Sequence, residues 1–186
     1  DLPLASQGRF ADFLWHSNSG YCRCCQNPSL RASEKIGNKE TKMRVLFDTS
    51  VLIAAIIEPH PMHPHAFPWL RRAKLNEFDM FVTTHTLAEL YAVLTTLPVK
   101  PRVSPGLAMR LIHDNVETMA KIISLSSSDY ISTIKRMSEL GLSGGIIYDA
   151  LAVRAAQKSV IDKVLTFNIE DFKRIWPEGI EHIAVP

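Results

Sequence analysis

The residues best suited to chemistry are three acids in apolar surroundings, Asp48, Glu89 and Asp149. Asp48 ends the run Met43-Arg44-Val45-Leu46-Phe47 and is followed at once by Thr49, Ser50 and a second apolar run. A carboxylate in that position is a helix N-cap, a turn former or a metal ligand. Glu89 lies in Thr86-Leu87-Ala88-Glu89-Leu90-Tyr91-Ala92-Val93-Leu94, a segment apolar almost all round and therefore expected to be buried. It has no basic neighbour at helical spacing. Unless it shares a solvated stripe with Thr95 or Thr96, such a Glu must be paired, protonated or bound to a cation. Asp149 follows Gly144-Gly145-Ile146-Ile147-Tyr148, in the first turn of an expected helix, where the dipole also favours an anion. Arg154 is badly spaced along that helix for an ion pair with it.

A further group, Thr166-Phe167-Asn168-Ile169-Glu170-Asp171-Phe172, follows an apolar run. Thr166 and Asn168 are expected to hold a water or a ligand carboxylate, with Ser50 supporting Asp48. Asp171 reads as a weaker fourth acid or, equally, as a charge in the first turn of a helix. Carboxylates gathered at one place raise one another's pKa unless a cation neutralises them. Oxygen-only ligands suit Mg²⁺ or Mn²⁺ rather than Zn²⁺. Such an ion keeps waters, one of which a phosphate oxygen can replace, so the residues point to metal-assisted phosphoryl chemistry.

These acids need elements to carry them to one place. Apolar periodicity predicts strands over 44–47, 80–83, 122–125, 163–166 and 180–185, the last at a sheet edge. It predicts helices over 50–57 (capped by Ser50 or Thr49), 66–76, 86–97, 105–116, 128–140, 146–159 and 169–175. Strands alternating with helices argue for an α/β fold around a parallel sheet with right-handed crossovers. Asp48 and Thr166 then fall at the carboxyl edge of that sheet, where ligands collect in open α/β folds.

Composition bounds the reading. The 186 residues, 46% apolar and 22% charged, suit one globular domain, and the net charge of +2 neither demands nor excludes a nucleic-acid partner. No apolar run approaches the roughly 20 residues that span a bilayer, and no basic segment leads into an apolar one, so the expected location is the cytoplasm, away from membranes. Residues 1–42 are polar with scattered aromatics and are expected to form a flexible extension ahead of a domain at 43–186, with Met43 a candidate natural start. Cys22, Cys24 and Cys25 fall in that segment and read as free thiols rather than as a zinc knuckle with His16. The patch from Phe10 to Trp15 is a possible docking element. His60, His63 and His65 lie in a Pro-rich stretch that reads as a poor platform for acid–base chemistry or metal binding.

Taken in order, Asp48-Thr49-Ser50 after a strand, Glu89 in a Thr-x-x-x-Glu-Leu helix, Asp149-Ala150-Leu151-Ala152 in a later helix, and Thr-x-Asn-x-x-Asp-Phe after a final strand resemble the PIN domain. More narrowly they resemble VapC-type toxins of bacterial and archaeal toxin–antitoxin pairs. The resemblance runs from Met43 to the C-terminus. It implies a three-layer α/β/α sandwich with a central, mostly parallel sheet, and a homodimeric endoribonuclease dependent on Mg²⁺ or Mn²⁺. It also implies a cognate antitoxin whose tail enters the acidic cleft. Asp48 and Asp149 would be the principal metal ligands and Glu89 would complete the triad. Asn168 stands where many relatives have a further Asp, a departure that bears on a second metal site and for which Asp171 would compensate in part. Hydrolysis would leave a 5′-phosphate and a 3′-hydroxyl. Arg71, Arg72, Lys74, Lys100, Arg102 and Arg154 are candidates to grip RNA. Competing readings are a catalytically weakened PIN-like domain that binds RNA or protein, a structure-specific DNA nuclease, and a haloacid-dehalogenase-like phosphatase. The last wants a second Asp where Ser50 stands.

Overall fold

The structure is a computed structural model that describes residues 42–186. The expectations for the N-terminal extension, its cysteines and its aromatic patch lie outside the described residues. Five strands, β1 (Arg44–Phe47), β2 (Asp79–Thr83), β3 (Lys121–Ile123), β4 (Lys163–Leu165) and β5 (Ile183–Ala184), form one parallel sheet in the order β3-β2-β1-β4-β5. Among the described residues, seven α-helices connect and follow them: α1 (Thr49–Ile56), α2 (His63–Lys74), α3 (Thr84–Thr96), α4 (Pro105–Ile112), α5 (Ser127–Glu139), α6 (Ile146–Lys158) and α7 (Ile169–Ile175).

The period-2 alternation of the strands divides the core in two. Val45 and Phe47 of β1, Met80 and Val82 of β2 and Leu165 of β4 pack among apolar side chains of α1 to α4. Leu46, Phe81, Ile123 and Val164 point the other way and pack on α5, α6 and α7. The result is helices on both faces of a parallel sheet, a three-layer α/β/α sandwich, and it explains why β1 is apolar at successive positions. From β1 the chain moves first to β2 on one side and later to β4 on the other. The crevice at the carboxyl end of β1 is therefore the switch point of the sheet, the place where such folds leave room for a ligand.

Several boundaries differ from expectation. The N-cap position of α1 is Asp48 rather than Ser50 or Thr49, with no side-chain capping bond; the Asp48 carbonyl accepts the first helical bonds, from Val51 and Leu52 at 3.1 Å each. Helix α2 starts at His63, with Pro64 in the first turn, where a missing N–H costs nothing. The segment expected as one helix over 105–116 ends its α-helical part at Ile112 and continues as a wider π-type turn to Glu117. The last strand shortens to two residues after a 3₁₀ turn over Pro177–His182, and it does lie at the sheet edge. Helix α3 is not buried all round. Thr86, Leu90 and Leu94 form its buried stripe, while Ala88, Tyr91 and Ala92 are exposed.

Candidate active site

Asp48 arrives at the switch point because β1 ends there. Its amide still donates to the Leu165 carbonyl at 3.0 Å, continuing the pairing with β4. Its side chain makes no capping bond to α1. Instead one carboxylate oxygen, Oδ2, accepts from the Ser50 hydroxyl at 2.6 Å and from the Thr166 hydroxyl at 2.9 Å. Both hydroxyls are themselves fixed: Ser50 Oγ accepts from the Phe167 amide at 3.2 Å and Thr166 Oγ1 from the Asn168 amide at 2.9 Å. The sequence left Asp48 open between cap, turn former and ligand. The geometry puts Asp48 at the N-cap position without a capping bond and places the residue, 8% exposed, in the lining of the crevice.

Glu89 is brought to the same crevice by α3, and the buried Thr49 hydroxyl donates to its Oε2 at 2.6 Å. Asp149 is brought by the first turn of α6. The Asn168 side-chain amide donates to Asp149 at 2.7 Å and to Asp171 at 2.9 Å, so an uncharged donor bridges two acids. Asp171 also pairs with Arg174 at 3.2 Å at the surface. All four acids line one cleft of about 710 Å³. Its remaining walls are largely apolar, among them Ile53, Met62, Val93, Leu97 and Ile146.

The electrostatics of the cleft are unbalanced. Among the described residues, Asp48, Glu89 and Asp149 each lack a salt bridge to Lys, Arg or His. Burial, and then the charges of Asp48, Asp171 and Glu89, push the Asp149 carboxyl up to about 7, against a bond from Asn168 that pulls it down. Oxygen-only donors, mutual repulsion and, among the described residues, no salt bridge to Asp48, Glu89 or Asp149 are the conditions that a hard divalent ion relieves, so the residues fit such an ion chemically. The acids are nevertheless not drawn tightly together. Among the described residues, no three His, Cys, Asp or Glu side chains stand close enough to form a ligand group as they are. The expected convergence of Asp48, Glu89 and Asp149 is a shared cleft, not a closed coordination shell.

None of the six basic residues considered for RNA lines the cleft. Arg72 is bonded to Glu77 at 2.7 Å and lies over the rings of Trp69 and Phe78. Lys74 bonds the Asn115 side chain at 2.7 Å. Arg154, expected on the RNA surface, is tied with Lys158 to the buried Asp129 of α5, at 3.0 and 2.6 Å. Lys158 foremost, then the hydroxyl and amide of Ser126, hold the Asp129 carboxyl well below the usual carboxylate range. Arg71, Lys100 and Arg102 are exposed.

Two aromatic cleft residues are not among the site residues expected from the sequence. His60 lies in a Pro-rich stretch that forms a hydrogen-bonded turn, with the His60 amide on the Ile57 carbonyl and the His63 amide on the His60 carbonyl, both at 2.9 Å. Nδ1 of His60 accepts from the Met62 amide at 3.1 Å, and its ring lines the cleft. Tyr148, which precedes Asp149 in the sequence, is 46% exposed and also lines the cleft. No periodicity marks either residue, because both act at a loop or a helix start.

Comparison with known proteins places this arrangement. A family model described as PIN domain matches residues 45–175. The chain is 33% identical over 109 residues to "Ribonuclease VapC27" of Mycobacterium tuberculosis, covering 59% of this chain and 74% of that protein. It is 30% identical over 131 residues to "Ribonuclease VapC40" of the same species, covering 69% and 91%. Among solved structures, VapBC2 from Rickettsia felis, bound to a promoter DNA fragment, superposes with a TM-score of 0.54 at 21% identity over 77% of this chain and 99% of that one. VapC20 of Mycobacterium tuberculosis, described as a toxin that cleaves the sarcin–ricin loop, gives a TM-score of 0.51 at 15% identity over 64% and 86%.

Proposed function

The chain belongs to the PIN domain family, and on that footing we propose that it is a VapC-type endoribonuclease, the toxin of a toxin–antitoxin pair, that hydrolyses RNA with Mg²⁺ or Mn²⁺ in the cleft. The observation that carries this reading is the trio Asp48, Glu89 and Asp149 in one cleft at the switch point, without a salt bridge among the described residues, with Asp149 raised by burial and by its acidic neighbours. Asp48, Asp149 and Glu89 would hold the ion, and Asp171 would contribute to its outer ligands. An ion in that place lowers the pKa of a water and offsets the charge of the scissile phosphate. Spread carboxylates suit Mg²⁺ in particular, since it retains several waters and takes few protein ligands.

The chain's own residues do the positioning. Ser50 and Thr166 hold one oxygen of Asp48 by donating to it, which leaves the other for an ion or its water. Thr49 does the same for Glu89. The side chain of Asn168 keeps Asp149 and Asp171 close without adding a further charge. The apolar walls beside the acids lower the local dielectric, which strengthens the charge interactions between them relative to open water. Cleavage at the bond from phosphorus to the 3′-oxygen would leave a 5′-phosphate and a 3′-hydroxyl.

An antitoxin fits the same cleft, because a partner segment with a basic side chain and apolar neighbours would complement both its acids and its walls. A second copy fits the exposed face of α3 and α4, where Leu87, Tyr91, Met109 and Ile112 line a shallow depression. A cytoplasmic location accords with this reading, and no helix among the described residues is long and apolar enough to cross a membrane.

The test is a single-turnover cleavage assay on RNA with Mg²⁺, Mn²⁺ or EDTA, with end-group analysis. Cleavage with either ion and none in EDTA is expected, with Asp48→Asn and Asp149→Asn slower by about 100-fold or more while still folded. Undiminished cleavage in EDTA, or cyclic-phosphate ends, would refute the proposal. Side-by-side flap-DNA substrates separate it from a DNA nuclease.

A further inference from the structure

One aromatic residue of the cleft has no part in the hydrolysis. Tyr148 precedes Asp149 in the first turn of α6, and its ring is stacked on that of His85, with centroids 4.5 Å apart and planes 19° from parallel. His85 lies one helical turn before Glu89 on α3. The stacked pair therefore bridges the two helices that deliver Glu89 and Asp149, and it sits beside both acids. Tyr148 is 46% exposed although one face of its ring is covered by the imidazole. Tyr148 lines the cleft, and among the described residues only His85 stacks on its ring, which leaves the second face without a stacking partner. His85 also limits the ring's freedom, so a second flat group can stack on it at a smaller ordering cost.

We propose that the Tyr148–His85 stack is a nucleobase platform: an unpaired base of the RNA lies on the open face of Tyr148 while its neighbouring phosphate meets the acids. This rests on reading the cleft as an RNA-cleaving site. The chemistry favours a base over other flat or apolar groups. Recognition of single-stranded RNA relies on stacking bases on aromatic side chains, and every base offers a π-face. None of the basic residues considered for RNA lines the cleft, so binding there has little cationic help and needs another source. A platform adjoining Asp149 would supply it and would also set the strand's register, one nucleotide from the ion. It would select for an unpaired nucleotide at that position with little preference among the four bases.

The experiment uses the full chain and a short single-stranded RNA carrying 2-aminopurine at successive positions, with Ca²⁺ present, and reads both quenching and affinity. The variants are Tyr148→Phe, Tyr148→Leu and His85→Ala, each checked by thermal melting. Quenching at one position is expected in the unaltered protein and in Tyr148→Phe, and its loss in Tyr148→Leu. Affinity should fall about tenfold in Tyr148→Leu and stay within about twofold in Tyr148→Phe, as loss of one base stack requires. An abasic nucleotide at the quenched position should remove the difference between variants. No quenching at any position, no RNA binding, or equal affinity for Leu and Phe variants would overturn the platform. Because the unaltered protein carries the quenching signal, the result stands even if the Leu variant fails to fold. Cleavage is scored separately with Mn²⁺. Cleavage without quenching removes the platform and leaves the nuclease, and quenching without cleavage does the reverse.

Discussion

Asp149 shows how one residue records the state of the whole cleft. Its carboxyl is raised to about 7 by burial and by the neighbouring acids, above the ordinary aspartate value near 3.9 of an unfolded chain. A carboxyl raised on folding adds stability that is fully present below the unfolded pKa and is lost as pH rises through the folded one. In EDTA the melting temperature should therefore fall between about pH 4 and pH 7, over and above other titrations, and Asp149→Asn should flatten that slope. Mn²⁺ or Mg²⁺ should raise the melting temperature more at pH 8 than at pH 5, because the ion competes with protons for the same oxygens. Equal metal stabilisation at both pH values would speak against these acids as ligands. Thr166 makes a second residue-scale case. It is fully buried, donates to Asp48 and accepts from the Asn168 amide. Thr166→Val keeps the shape and removes both bonds, taking a donor from the buried Asp48 carboxylate, so it should cost about 1–3 kcal/mol in urea unfolding and slow cleavage in the folded fraction.

At the scale of elements, what matters is which charges belong to the site and which to the scaffold. Helices α5 and α6 are joined by Asp129, which closes the capping box with Ser126 and accepts from both Arg154 and Lys158. A carboxyl lowered on folding adds stability above its unfolded pKa and loses it as pH falls towards its folded one. This junction should therefore hold through neutral pH and weaken only in acid. Arg154→Ala should lower the melting temperature by a few degrees and leave RNA affinity unchanged. A large loss of affinity with an unchanged melting temperature would return Arg154 to the RNA surface. Helix α3 divides its labour differently: Leu90 and Leu94 hold it to the core, Glu89 faces the cleft, and Tyr91 is left to solvent.

For the whole molecule, the order β3-β2-β1-β4-β5 is what makes a site out of distant segments. The chain leaves β1 in one direction and returns beside it as β4, so Asp48 and Thr166 become neighbours across the switch point, and α3 and α6 bring Glu89 and Asp149 from either side. The same packing leaves Tyr91 and Met109 exposed on α3 and α4, at 43% and 63%. If that face seats a second copy, light scattering should give a dimer, and Tyr91→Asp with Met109→Asp should give a folded monomer. A monomer in the unaltered protein at micromolar concentration would exclude a tight dimer through this face.

The α/β alternation, the strand before Asp48 and the apolar frame of the acids were legible in the sequence because they rest on local periodicity and on the cost of burying a lone carboxylate. The burial of α3 was misjudged for a related reason: an apolar composition does not say how many neighbours a helix will find. The turning of the Asp48 carboxylate away from its helix and towards the crevice, the bridging of Asp149 and Asp171 by Asn168, the pairing of Arg154 with Asp129, and the arrival of His60 and Tyr148 in the cleft were decided only by tertiary structure. Each depends on which distant backbone lies within hydrogen-bond or stacking reach, and sequence spacing carries no record of that distance.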